Sequence, residues 1–341
     1  MFLMSAEKVR DCIGEIGLVS LMQETIKRLK LDYLAWDKFQ KSARHAIHHP
    51  LGVLELMPCA DDEWYSFKYV NGHPNNTATG KLCVAAFGML AKQVDGYPRL
   101  LCDMTWLTAI RTACMTALVV EHVAQKQATR LGIIGTGAQA EFMLKAVQQV
   151  RPITHCYYYD IDPSAMQKFS HNMSNVGVAL QATDGVKTLC EHADIIITIT
   201  AAKANNNLIE PAWLKSGQLL CGVGGDCPGK TEFSAHLVSA CQLVVAYKPQ
   251  TIVEGELQLV PDHPYITTVA DLMRDHSICL NHDAKPILFD SVGFALEDFS
   301  ILMVIYQWLK AHPEFLSSTD WLPKVADPKN LYAALMTGLS N

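Results

Sequence analysis

The stretch Arg130-Leu-Gly-Ile-Ile-Gly-Thr-Gly-Ala-Gln-Ala140 constrains the fold of this chain more than any other. Leu131 to Ile134 is an apolar run of buried-strand type, and it leads directly into Gly135-x-Gly137-x-x-Ala140. A helix-like pattern follows from Glu141. Gly135 permits a tight turn, Gly137 lets the backbone come close to a phosphate, and Ala140 keeps the helix against the strand. A second strand-like run, Cys156-Tyr-Tyr-Tyr159, ends on Asp160, where an acid is expected about 20 positions beyond the turn. Together these form a dinucleotide-binding fingerprint, with the pyrophosphate on the positive end of the helix. A carboxylate at Asp160 hydrogen-bonds a ribose 2'-hydroxyl and repels a 2'-phosphate, which favours NAD over NADP. Asp162, followed by Pro163, reads as the cap of the next helix.

Composition narrows the class. The chain has 341 residues, half of them hydrophobic, enough for about two domains with a large core. A net charge of -6 argues against general nucleic-acid binding. No apolar run approaches a membrane span, and Met1-Phe-Leu-Met4 is too short for a signal-peptide core. The 11 cysteines are scattered and form no Cys-x-x-Cys pair, as in a reduced cytoplasmic protein. His45, His48 and His49 have no matching ligand cluster, so no metal site is expected.

The first third predicts a mixed helix and antiparallel-sheet unit. It comprises a helix over 5–30, strands at 51–58, 64–70, 82–90 and 99–103, and a long helix over 105–126. From about 128 strands and helices alternate, with strands at 130–134, 154–159, 194–200, 218–223, 242–246 and 286–289. Helices are expected at 138–150, 163–174 and 184–191. The fold class is therefore α/β, a Rossmann-type doubly wound parallel sheet plus a mixed α+β unit. Leu296–Lys310 is strongly helical, residues 325–338 predict another helix, and this tail can return to the first unit.

Four charged residues stand out near such a crevice. Lys68 lies on a strand between Phe67 and Tyr69, and is either a solvated edge residue or a ligand contact. Arg111 lies in an almost uncharged helix segment and must find a carboxylate, from protein or ligand. Arg44 reads as a surface residue or a third cation. Asp226 follows the apolar strand Leu219–Val223, and is either a turn residue before Pro228 or a carboxylate at the nicotinamide side of the cleft.

These segments resemble the ornithine cyclodeaminase/mu-crystallin family over nearly the whole chain. The resemblance rests on Phe67-Lys-Tyr-Val-Asn-Gly-His-Pro74, Arg111-Thr-Ala113, Gly135-Thr-Gly-Ala-Gln139, Gly224-Gly-Asp-Cys-Pro-Gly-Lys-Thr-Glu232, Val253-Glu-Gly-Glu256 and Asp290-Ser-Val-Gly-Phe-Ala-Leu-Glu-Asp-Phe-Ser300. It implies an NAD-binding Rossmann domain over 116–304. The remaining 1–115 and 305–341 would form a substrate-binding and dimerisation domain, in a homodimer. It assigns Arg44, Lys68 and Arg111 to the α-carboxylate of an amino-acid substrate. It assigns Asp226 to the amino groups as acid/base, and Glu55 and Met57 to the pocket lining. The expected cofactor contacts are Gly135, Gly137, Ala138, Gln139, Asp160, Thr200, Ala201, Val223 and Ser291.

The implied reaction is L-ornithine to L-proline plus ammonia. Hydride leaves Cα, the δ-amine closes a ring on the resulting imine, ammonia departs, and the hydride returns. A role in proline supply or ornithine breakdown would follow. The same family holds cyclic ketimine reductases, alanine dehydrogenases and a ligand-binding crystallin, and lysine is one methylene longer than ornithine. The sequence leaves these as alternatives.

Overall fold

The computed structural model describes residues 1–201, 205–315, 322–323 and 325–337. The N-terminal region builds a seven-stranded mixed sheet from β1 (Phe2–Met4), β2 (Gln40–Lys41), β3 (His45–His49), β4 (Gly52–Ala60), β5 (Trp64–Gly72), β6 (Ala86–Lys92) and β7 (Pro98–Asp103). Its order is β1-β7-β6-β5-β4-β2, with β3 also on β4; β1 pairs parallel with β7 and the other pairs are antiparallel. Helices α1 (Ala6–Ile16) and α2 (Leu18–Leu34) precede the main strands, and α3 (Thr105–Val123) leaves the sheet for the second region.

That second region is an eight-stranded sheet, parallel throughout. It contains β8 (Arg130–Ile134), β9 (His155–Tyr159), β10 (Ala179–Ala182), β11 (Ile195–Thr198), β12 (Leu219–Gly222), β13 (Gln242–Val245), β14 (Ile266–Thr268) and β15 (Ile287–Asp290). The order β10-β9-β8-β11-β12-β15-β13-β14 reverses direction between β8 and β11, which places a crevice at the carboxyl ends of those two strands. Helices α4 (Ala140–Val147), α5 (Pro163–Asn172), α6 (Val186–His192), α7 (Ala235–Ala240), α8 (Lys248–Glu254) and α9 (Val269–Arg274) connect the strands. The chain then returns through α10 (Ala295–Ala311), which packs on β4, β5 and β6 as well as on α2 and α3. A last described helix, α11, covers Leu331–Thr337.

The parallel strands match the expected segments closely, since four-residue apolar runs between turns leave little freedom. Four differences have physical causes. The helix expected over 5–30 is two, because Gly17 at φ +81° breaks it. Strand 82–90 starts only at Ala86, since the Asn71 Oδ1 takes the Ala85 N–H at 2.7 Å that a ladder would use. The exposed strand β3, which carries the histidines at 45, 48 and 49, lies outside the expected elements. Strands β10 and β14 were not foreseen: each is short and on a sheet edge, with no fully buried residue. Of the helix expected at 325–338, residue 338 lies outside the described residues.

The first sheet is two-faced. On β5, Trp64, Ser66, Lys68 and Val70 point inward and are buried, while Tyr65, Phe67 and Tyr69 point outward. Helix α10 covers the inner face. The outer face leaves Leu54, Leu56, Tyr65 and Phe87 exposed, each by 37–44%.

Candidate active site

The turn after β8 is built as its glycines demand. Gly135 has φ +96°, and a Cβ there would stand 2.8 Å from the Ile199 carbonyl oxygen at the end of β11. A Cβ on Gly137 would meet nothing within 4 Å, so that backbone faces open space. Asp160 closes β9 beside this turn: its carboxylate accepts the Thr136 N–H at 2.6 Å and the Thr136 hydroxyl at 3.2 Å. Asp162 caps α5, accepting the Ser164 N–H at 2.8 Å. The Gln139 Oε1 is buried without a donor among the described residues. An open glycine backbone, an acid at the neighbouring strand end and an unused buried acceptor are what a dinucleotide would engage. Ala138 follows Gly137 in the same turn.

Across the crevice three buried carboxylates organise the loops. Glu232 accepts the Thr198 hydroxyl at 2.6 Å, the Thr200 N–H at 2.8 Å and hydroxyl at 2.7 Å, and the Gly224 N–H at 2.8 Å. Glu256 accepts the N–H groups of Glu232 and Phe233, at 2.7 and 3.1 Å. Asp290 accepts the Leu257 N–H at 2.8 Å. Thr200, Val223 and Ser291 therefore sit on loops fixed by these acids or by strand-end bonds, Ser291 N–H to Gly222 and Val223 N–H to Thr198. Ala201 is exposed beside Thr200. Burial pushes Glu256 up to about 8, with Asp290 adding, and Asp290 up to about 7.

The same acids explain the glycines of the long motifs. A Cβ on Gly224 would lie 2.3 Å from the Glu232 carboxylate, on Gly225 2.4 Å from Glu256, and on Gly255 2.5 Å from Asp290. Each glycine lets backbone rest directly on a carboxylate.

Between the two sheets lies a buried cluster of charges. Lys68, 1% exposed, donates to the Asp298 Oδ1 at 2.9 Å, and the Arg111 Nε lies 2.9 Å from the same oxygen. Arg111 also pairs with Glu297. Burial, then the neighbouring Arg111, brings Lys68 down to about 8, against Asp298. Lys68 is thus not the edge residue a strand lysine suggests, because β5 is central and its inner face is covered by α10.

Arg44 is held entirely by protein. One terminal nitrogen meets both Glu55 oxygens at 2.9 and 2.8 Å, the other donates to the carbonyls of Val292 and Gly293, and Nε lies 3.0 Å from Glu254. Met57 stands opposite Lys68 in the β4–β5 register and is buried. Asp226, half-exposed, pairs with Lys230 at 2.9 Å and lies close enough to influence both Arg44 and Glu254. Gly293, at φ +73°, sits between the arginines: its carbonyl accepts from Arg44 at 2.8 Å, and a Cβ would lie 2.7 Å from Arg111.

Sequence reasoning named the cations but missed their carboxylates, Glu254, Glu297 and Asp298. All three lie inside strings already singled out, and an arginine in an apolar helix requires such a partner. Among the described residues no group of His, Cys, Asp or Glu is arranged to hold a metal ion, and no helix is long and apolar enough to cross a membrane.

Fold and site thus define an α/β protein with a dinucleotide-type crevice beside a buried cluster of paired charges. The model of the ornithine cyclodeaminase/mu-crystallin family matches residues 6–312. The chain belongs to this family. It is 38% identical over 333 residues to an ornithine cyclodeaminase of Agrobacterium fabrum, covering 97% of this chain and 94% of that one. Among solved structures it resembles an archaeal alanine dehydrogenase dimer with bound NAD, at TM-score 0.86 and 23% identity, covering 94% and 99% of the two chains. It also resembles a lysine cyclodeaminase studied for recognition of L-lysine, L-ornithine and L-2,4-diaminobutyric acid, at TM-score 0.87 and 23% identity, covering 96% and 98%.

Proposed function

We propose that this protein is an NAD-dependent enzyme converting L-ornithine to L-proline and ammonia. The observation that carries the reading is the pocket itself: Lys68 and Arg111 converge on Asp298, and Asp226 stands beyond β12, at the carboxyl-end crevice. The 38% identity to an ornithine cyclodeaminase over nearly both whole chains supports the choice of substrate.

Bound NAD would supply the hydride acceptor at the start and the donor at the end. Lys68 and Arg111 grip the α-carboxylate, with arginine able to do so through two parallel bonds. Arg44 joins them only by releasing Glu55 or Glu254. Asp226 accepts a proton from the δ-amine, which must be neutral to attack the imine carbon. Ring closure within one bound molecule gains from proximity, up to roughly 7–11 kcal/mol. Gly135, Gly137, Ala138, Gln139 and Asp160 would hold the dinucleotide from one side, and Thr200, Ala201, Val223 and Ser291 from the other.

The reading includes a homodimer, a cytoplasmic setting and the division into 1–115 with 305–341 and 116–304. The dimer is supported by the apolar outer face of the first sheet and by the dimeric relative. The setting is supported by 11 free cysteines. A role in proline supply or ornithine breakdown follows from the reaction.

With L-ornithine and catalytic NAD+, the protein should release ammonia and proline without net NADH. Steady NADH formation with alanine and none with ornithine would assign it as a dehydrogenase. NADH consumption with cyclic imino acid alone would assign it as a reductase, and ligand binding without turnover as a binding protein. Sedimentation equilibrium should give twice the chain mass, and Leu56→Glu should give monomer.

A further inference from the structure

The charged pocket holds one acid too many. Four cations, Arg44, Lys68, Arg111 and Lys230, face five carboxylates, Glu55, Glu254, Glu297, Asp298 and Asp226. Three carboxylate oxygens of this cluster have no hydrogen-bond donor among the described residues, Glu254 Oε2, Glu297 Oε1 and Asp298 Oδ2, and of these Glu254 is the one within reach of Asp226. Both oxygens of Glu55 are taken by one nitrogen of Arg44, and Asp226 has Lys230. Glu254, 5% exposed at the last residue of α8, faces Arg44 Nε at 3.0 Å but too poorly aligned to bond, and its Oε2 has no donor among the described residues. A buried carboxylate oxygen without a donor costs about 1–3 kcal/mol or more, so such an atom marks a place for a ligand group.

The donor has a chemistry. A diamino monocarboxylic acid carries two ammonium groups and one carboxylate, so its net charge of about +1 at neutral pH offsets the excess acid. Alanine, proline and cyclic imino acids carry no such surplus. Gly293 separates Arg44, with its partners Glu55 and Glu254, from Arg111. One end of the pocket thus presents cations for a carboxylate, and the other presents Glu254 and Asp226.

We propose that Glu254 is a specificity-determining residue, receiving the distal ammonium group of a diamino acid beside Asp226. The proposal rests on the amino-acid reading above and extends it to a residue outside the carboxylate-gripping set. Its electrostatic surroundings agree. Burial raises the Glu254 carboxyl to about 7, Glu55 and Asp226 add to this, and Arg44 and Gln250 oppose it. Glu254 is therefore only partly charged at neutral pH, and an arriving ammonium group would favour its charged form.

The test is equilibrium binding to the NADH-loaded protein, which cannot accept hydride, so turnover does not interfere. L-Ornithine is compared with L-norvaline, the same carbon chain without the second amine. Wild-type protein should prefer ornithine by roughly tenfold or more, the scale of a hydrogen bond to a charged group. Glu254→Gln should abolish that preference by weakening ornithine, while norvaline affinity stays the same or rises and NADH affinity is unchanged. Equal weakening of both ligands would reduce Glu254 to a support for Arg44 and overturn the proposal; so would unchanged ornithine binding. Should the glutamine variant not fold, Glu254→Asp keeps the charge but withdraws it by one methylene. Preference should then move from ornithine toward L-lysine, and no movement overturns the proposal. Failure of wild-type protein to turn over ornithine would instead defeat the proposed reaction, leaving the ornithine–norvaline comparison to decide on Glu254.

Discussion

Lys68 shows how a single buried charge ties chemistry to pH. Its ammonium group is 1% exposed, beside Arg111, and is brought down to about 8. A lysine with a lowered value is charged below it and neutral above. Affinity for the carboxylate of L-proline, measured on the NADH-loaded protein, should therefore weaken as pH rises through about 8. Lys68→Arg, which stays charged, should remove that inflection. Asp226 makes a different demand. Asp226→Asn should bind NAD as wild type does, yet lose turnover by about 10²–10⁴, the usual contribution of a positioned base. Near-normal turnover of ornithine in that variant would remove Asp226 from the mechanism.

Two glycine loops separate binding from stability. Gly137→Ala adds a methyl group to open space, so its thermal midpoint should match wild type while its NAD affinity falls, because the dinucleotide backbone would approach there. Gly224→Ala drives a methyl group to 2.3 Å from the Glu232 carboxylate and should destabilise the fold by about 1–3 kcal/mol. Calorimetry with and without NAD distinguishes the pair. These loops also mark what the chain discloses. The β8 turn, β9 and Asp160 were legible because glycine spacing, an apolar run and a terminal acid are all local signals. The ion pairs of Lys68 and Arg111 were not, because Asp298 and Glu297 lie 230 and 186 residues away on α10. Nor does the sequence show that Glu232, Glu256 and Asp290 are buried under glycines. Each looks like an ordinary acid until the sheet brings strand ends together. The break at Gly17 is a local signal that the continuous helical spacing on both sides concealed.

For the whole molecule, the buried acids set the response to pH. Glu256 and Asp290 are raised to about 8 and about 7, from ordinary values of 4.5 and 3.8. Between those limits the folded chain keeps protons that the unfolded chain has released. Stability from these groups is complete below about 4 and declines as pH rises toward 8. The thermal midpoint of the cofactor-free protein should fall from pH 5 to pH 8.5, and Glu256→Gln should flatten part of the fall. Asp194 is lowered despite burial by Arg130 and by backbone donors, so its contribution is lost only in stronger acid, outside this window. An unchanged midpoint across the range would show that these carboxyls do not titrate on folding.

Gly293 has a consequence for anyone wishing to redirect the protein. With its carbonyl bound by Arg44 and no room for a side chain beside Arg111, the floor between the two arginines is closed to mutation. Redesign for new substrates would fall on α8, where Gln250 donates to the same Gly293 carbonyl and Glu254 stands beside Arg44, so each change of length or charge there is felt by that floor.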